Sequence, residues 1–327
     1  MSAGARHAAR DATPVVVLAG ALGAGKTTLL GRCLADPSFS RTAVVIDEIA
    51  ELAVDPHLLP ASPTLVRRAP CGRWTEALLG LERERDAGAA FERVIVEANG
   101  VTTPACVVAA LEEDDGLRQR FALEGIVAAV DAARGADAIG ADDLGRAQAA
   151  GADAVVLTKL DIADPQSVPS LVAALMRLNP YAEILRATAP AFAAPSIWSA
   201  ASHAPGRDVR RLAGVVDAAA LPQVGSLCVR FGHAVELSGF CVRLSAFLEQ
   251  HAAQLLRVKG LVRVEGRHGP AVIQAVGSTL YPVRTLKEWP RGVEESALVV
   301  VARGMPDDEL RVGVERAGAT GRSRRAR

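Results

Sequence analysis

The stretch Gly20-Ala21-Leu22-Gly23-Ala24-Gly25-Lys26-Thr27 fits G-x-x-x-x-G-K-[ST] over its whole length. Glycines at those places let backbone N–H groups curl round phosphate oxygens, and a helix starting at the end of the pattern adds its dipole. Lys26 is then a compact charge for β- and γ-phosphates, and the Thr27 hydroxyl a ligand for Mg²⁺. The expected phosphate contacts are Gly20, Gly23, Ala24, Gly25, Lys26, Thr27 and Thr28. Glu97-Ala98-Asn99-Gly100 offers an acid to hold the Mg²⁺ water shell and a Gly100 N–H to sense a γ-phosphate. Taken alone, it is also a common strand-end turn.

Thr158-Lys159-Leu160-Asp161 fits [NT]-K-x-D, the guanine-reading pattern of P-loop folds. The Asp161 carboxylate accepts from guanine N1–H and the 2-amino group together, where adenine presents the wrong pattern, and the Lys159 stem lies along the base. The alternative is a surface turn that caps a helix. Between the first and second motifs, Asp47-Glu48-Ile49-Ala50-Glu51-Leu52-Ala53-Val54-Asp55 packs acids beside the phosphate site. Acids so placed bind metal or orient an attacking water, with Glu48, or else Asp47, the best candidate for the water. A solvated acidic loop is the other reading.

Each motif needs a strand end to carry it. Runs that are apolar throughout recur at Val15–Leu18, Ala43–Ile46, Val94–Val96, Ile126–Val130, Ala154–Leu157 and Ile184–Leu185. Such runs suit strands buried on both faces of a parallel sheet. Stretches of helical spacing lie between them, at Thr27–Leu34, Thr75–Leu81 and Val168–Leu178. The alternation predicts an α/β fold, a P-loop doubly wound and mainly parallel sheet over residues 14–188. Residues 189–223, with Pro190, Pro195, Pro205, Gly206 and Pro222, read as a linker.

Over 224–314 a smaller α+β domain is expected. It has a strand at Leu227–Phe231, a helix capped by Ser238, four strands (Leu261–Val264, Val272–Ala275, Leu280–Val283, Leu298–Val301) and a last helix opened by Pro306-Asp307-Asp308-Glu309. Residues 1–13 and the basic stretch 315–327 read as disordered.

Lys+Arg and Asp+Glu both total 37, so no charge excess recruits nucleic acid or anionic membrane. Aromatics, at 4%, are too few for base-stacking platforms. Only four of the cations are lysines, namely Lys26, Lys159, Lys259 and Lys287, and two of these sit in nucleotide motifs where a planar guanidinium fits poorly. Five scattered cysteines suit reduced thiols in a cytosolic compartment. The first thirteen residues lack a signal-peptide apolar core, and no apolar run is long enough to span a membrane, so the expected location is cytoplasmic.

The order of these motifs resembles the CobW-like P-loop GTPases, associated with cobalamin synthesis and metal trafficking. The matching pieces are Gly20–Leu30, Val45–Asp55, Glu97–Pro104, Val130-Asp131-Ala132, Gln148–Asp161 and Asn179-Pro180-Tyr181-Ala182. Leu255–Gly260, Val272–Val276 and Trp289 resemble the C-terminal domain of that family. The resemblance implies a GTPase that couples GTP and GDP states to handling of Zn²⁺, Co²⁺ or a related ion for a metalloprotein client. Slow turnover is expected until a partner, a second copy or the metal completes the site, since no arginine finger stands out.

The sequence departs from the family in its thiols. Members usually carry Cys-x-Cys-Cys after the second strand; here Arg68-Ala69-Pro70-Cys71-Gly72-Arg73-Trp74 holds one cysteine. A single thiolate still binds metal with Glu48 or Glu51 as a partner, but no dithiolate forms there. Asp47 stands where Asn is usual, Ile49-Ala50 where Phe-Gly is usual, and Asn99 where Thr is usual. The dispersed histidines make no metal tract, and His251 reads as a packed core residue.

Cys33, Cys228 and Cys241 read as core, and Cys106 as the other thiol near the nucleotide. Leu255–Gly260 is either a client-contact or domain-interface element or a plain helix-to-strand turn. Beside the metallochaperone reading stands a nucleotide-regulated protein-binding module with a degenerate metal site. A P-loop kinase is a distant third.

Overall fold

The computed structural model describes residues 12–47, 65–69, 73–100, 104–140, 142–180, 182–188, 194–202, 224–289 and 295–318. The first unit is built on β1 (Thr13–Gly20), β2 (Thr42–Asp47), β3 (Val66–Ala69), β4 (Arg93–Glu97), β5 (Phe121–Asp131), β6 (Ala154–Thr158) and β7 (Glu183–Arg186). They form a seven-stranded sheet in the order β3-β2-β4-β1-β5-β6-β7. Every pairing in it is parallel. All six apolar runs are strands of this sheet; β3 was missed because Arg67 and Arg68 interrupt its apolar character.

The connecting helices are α1 (Lys26–Ala35), α2 (Trp74–Asp86), α3 (Pro104–Glu113), α4 (Asp115–Arg120), α5 (Asp137–Gly140), α6 (Asp143–Gly151), α7 (Ser167–Leu178) and α8 (Ala194–Ala201). Leu29, Leu30 and Cys33 of α1 and Ile197 of α8 bury against Val16, Leu18, Val44, Ile95 and Val127 of the sheet. Trp198 of α8 meets Phe39 edge-on at 6.3 Å. The expected linker 189–223 therefore contains a helix of the first unit, hidden in the sequence by its brevity and by Pro195 near its start. Thr13, expected in a disordered leader, begins β1 and is buried, with Arg85 Nη2 donating to its hydroxyl at 2.6 Å.

All strands of the second unit follow α8. Its strands are β8 (Val224–Phe231), β9 (Leu255–Val262), β10 (Ala271–Val276), β11 (Thr279–Leu280), β12 (Arg284–Thr285) and β13 (Ser296–Arg303). They pair antiparallel in the order β11-β10-β9-β13-β8, with β12 against β10. Helices α9 (Leu237–Gln250) and α10 (Asp307–Gly318) cover one face through Phe240, Leu244, Leu248, Leu310 and Val314.

Four local expectations change here. Leu255–Gly260 is strand, not a turn, and it moves the expected strand forward from Leu261–Val264. The expected strand Leu280–Val283 is replaced by two two-residue strands on either side of Tyr281-Pro282-Val283. Glu236, not Ser238, caps α9, accepting from the N–H groups of Ser238 and Gly239. The expected tail 315–327 is helical as far as Gly318, where a Cβ would lie 2.3 Å from the Phe231 ring, so Ala317 and Gly318 mark packing rather than disorder. Among the described residues no helix is long and apolar enough to cross a membrane.

Candidate functional site: the phosphate loop and its strand ends

β1 delivers the chain at Gly20 into a loop that only glycine backbone can follow. Gly23 and Gly25 have φ of 74° and 85°, and Gly25 caps α1. The Ala24 N–H closes a turn on Ala21 O at 3.1 Å. Lys26, the first residue of α1, is buried, and its Nζ donates to Gly20 O at 2.8 Å and Ala21 O at 3.1 Å. Burial lowers its pKa, while Glu97 opposes the shift. A cation held against its own loop by two neutral carbonyls is poised to exchange them for phosphate oxygens.

Glu97 ends β4, the strand beside β1, and its Oε1 accepts from the Thr27 hydroxyl at 2.7 Å. Burial pushes its carboxyl above the usual range, against the pull of Thr27 and Lys26. The second oxygen, Oε2, is buried with no hydrogen-bond partner among the described residues. A desolvated carboxylate with one oxygen unmatched, next to a threonine hydroxyl, is the donor set that a hard cation and its waters satisfy. Thr27 and Glu97 therefore fit Mg²⁺. Gly100, three residues further on, is packed so closely that a Cβ there would sit 2.4 Å from Leu22 N. Thr28 follows on α1 and is exposed.

β6 brings in the base-reading motif. The Thr158 hydroxyl lies 2.7 Å from Ala24 O and 3.1 Å from Val130 O, tying β6 to the phosphate loop. Lys159 turns the chain with φ of 54°, the one non-glycine residue with positive φ among those described. Its Nζ donates to Asp131 Oδ2 at 2.8 Å, and Asp131 Oδ1 accepts from the Ala133 N–H at 3.0 Å. The Lys159 stem is thereby stretched between the strand ends while Asp161 stays exposed. Asp131, which ends β5 in register with Thr158, has no signal of its own in the sequence. Asp47 and Asn99 were also not paired: Asn99 Nδ2 donates to Asp47 Oδ2 at 2.7 Å, and both residues are buried.

Glu48, Glu51 and Cys71 lie outside the described residues. Among the described residues no group of three or more His, Cys, Asp or Glu side chains is placed to hold a metal ion. Cys33 is buried, and burial, with Asp36 second, pushes its thiol up to about 12. Cys228 and Cys241 are half-buried, and Cys106 is exposed. His251 closes α9 half-buried, its ring 4.8 Å from that of Phe247.

Residues 14–186 match the family model described as the CobW/HypB/UreG nucleotide-binding domain. The chain belongs to that family. Residues 224–317 further match the cobalamin synthesis protein cobW C-terminal domain. The zinc chaperone YjiA of Escherichia coli (strain K12) is 27% identical over 91% of this CobW-family chain and 96% of its own. The zinc chaperone CobW of a Sinorhizobium species is 24% identical, over 88% and 92%. The crystal structure of Zn(II)-bound YjiA GTPase from E. coli shares the fold, with a TM-score of 0.72 and 23% identity over 94% of this chain and 99% of that one. The P-loop α/β architecture and the appended antiparallel domain are thus those of the CobW family.

Proposed function

We propose that this CobW-family chain is a Mg²⁺-dependent cytoplasmic GTPase that couples its nucleotide state to handling of a divalent ion, Zn²⁺ or Co²⁺, for a metalloprotein client. The observation that carries the nucleotide half is the convergence of Lys26, Thr27 and Glu97 under the phosphate loop. The Lys159–Asp131 pair and the exposed Asp161 support guanine as the base. In this reading Lys26 trades its loop carbonyls for phosphate oxygens, and Thr27 and Glu97 hold Mg²⁺. Bound there, Mg²⁺ neutralises charge on the phosphates. Gly100 offers its N–H from a backbone position fixed against the loop. Hydrolysis transfers the γ-phosphoryl group to water and releases GDP and phosphate, with Glu48 the candidate to orient that water.

The metal half rests on the chain's similarity to zinc chaperones and on Cys71, Glu48 and Glu51 as ligands. One observation favours a second reading, a nucleotide-regulated binding module for a protein partner: a single thiol stands where the family usually has three. Titration of Zn²⁺ and Co²⁺ in competition with a chromophoric chelator, with and without Mg²⁺·GTP, separates the two. Nucleotide-dependent affinity that is lost in Cys71→Ala supports ion handling. A chain with no tight site in either nucleotide state is the binding module.

A further inference from the structure

The end of β2 and the loop that leaves β4 are clasped by a pair that the phosphate chemistry does not use. Asp47 is the last residue of β2 and is 1% exposed; Asn99, two residues past β4, is 7% exposed. Asn99 Nδ2 donates to Asp47 Oδ2 at 2.7 Å in this buried setting. On one side of Asn99, the Ala98 N–H is bonded to Leu18 O of β1 at 2.9 Å. On its other side, Gly100 is pressed on the phosphate loop, with a would-be Cβ 2.4 Å from Leu22 N and 3.0 Å from the Ala21 carbonyl carbon.

The peptide between Asn99 and Gly100 is thus fixed by backbone contacts before and after it, and by one side-chain clasp to the neighbouring strand. A hydrogen bond from an amide to a carboxylate out of water is among the stronger ones a protein makes, and its orientation is set by which partner donates.

We propose that Asp47 and Asn99 are positioning residues for the nucleotide site, their clasp holding the Gly100 N–H where it meets a γ-phosphate and so setting preference for the triphosphate over the diphosphate. The inference rests on the GTP-binding reading above. Neither residue touches the nucleotide; they act through Gly100.

The direction of the hydrogen bond supplies the test. In Asn99→Asp two carboxylates face each other, and in the reversed pair Asp47→Asn with Asn99→Asp an amide again donates to a carboxylate. Affinities for GTPγS and GDP are measured with Mg²⁺ by fluorescence competition on the full chain. The expected result is a GTPγS-to-GDP affinity ratio lowered about tenfold or more in Asn99→Asp, recovering to within about threefold in the reversed pair. The ratio is read within each variant, so a loss of overall stability that affects both nucleotides equally does not move it. Should Asn99→Asp fail to fold, Asn99→Leu, of similar shape but with no donor, carries the same expected loss. An unchanged ratio in the single variants, or a reversed pair no better than Asn99→Asp, overturns the proposal. If the unaltered chain binds neither guanine nucleotide, it is the GTP-binding reading that fails.

Discussion

Lys26 and Lys259 are buried to almost the same degree, 7% and 6% exposed, in a chain that otherwise uses arginine for nearly all its cations. They sit at opposite kinds of place. Lys26 begins a helix at the carboxyl end of a parallel strand, donates to two loop carbonyls, and has its pKa lowered by burial. Lys259 lies mid-strand in β9, in register with Gln274 on one side and Val299 on the other. In a parallel sheet the strand ends collect loops with unsatisfied polar groups, where chemistry assembles. The middle of an antiparallel strand is flanked by paired backbone, with no loop end at which such groups converge.

The sharpest way to break this contrast is to exchange the consequences of the two lysines. Lys26→Ala is expected to weaken Mg²⁺·GTP binding by about 100-fold or more, because charged contacts to phosphate disappear, while thermal unfolding changes little. Lys259→Ala is expected to leave nucleotide affinity within about twofold and to lower stability by about 2 kcal/mol through its lost buried stem. Calorimetric binding and thermal denaturation on both variants decide it. The contrast fails if Lys259→Ala loses GTP.

Glu97 sharpens it further, since its burial is a cost that a ligand relieves. A carboxyl whose folded pKa is raised binds its proton more tightly folded than unfolded. Its contribution to stability therefore falls as pH rises from about 4.5 through the folded value. Glu97→Gln removes that penalty: the ligand-free chain should melt about 2–4 °C higher at pH 7, while Mg²⁺ ceases to strengthen GTP binding. A lower melting temperature, or an undiminished Mg²⁺ effect, contradicts the assignment. The smallest effect concerns thiols. With Cys33 pushed up to about 12, iodoacetamide at pH 8 should label the exposed Cys106 and spare Cys33 in the native chain, as peptide mass spectrometry reads.

The legible parts of the molecule were those where pattern and place coincide. Six parallel strands showed as uniformly apolar runs, and the residues at their ends, Gly20, Glu97 and Thr158, followed from motif order. What escaped depends on neighbours distant in sequence. Asp131 is 28 residues from Lys159, and Asn99 is 52 from Asp47, so neither clasp has a local signature. Arg67 and Arg68 concealed β3, while the small residues of 315–318 resembled a tail because the close Phe231 ring leaves no room for a Cβ at Gly318. Edge strands and packing glycines obey tertiary contacts that periodicity does not encode.

Base recognition is where the nucleotide reading is most exposed to refutation. The direct measurement is the affinity of the chain and of Asp161→Ala for Mg²⁺·GTPγS against Mg²⁺·ATPγS. A preference for GTPγS of about 100-fold or more, lost in Asp161→Ala with ATPγS binding unchanged, is the expected result. Equal affinity for both nucleotides in the unaltered chain, or a preference that survives the loss of Asp161, contradicts it.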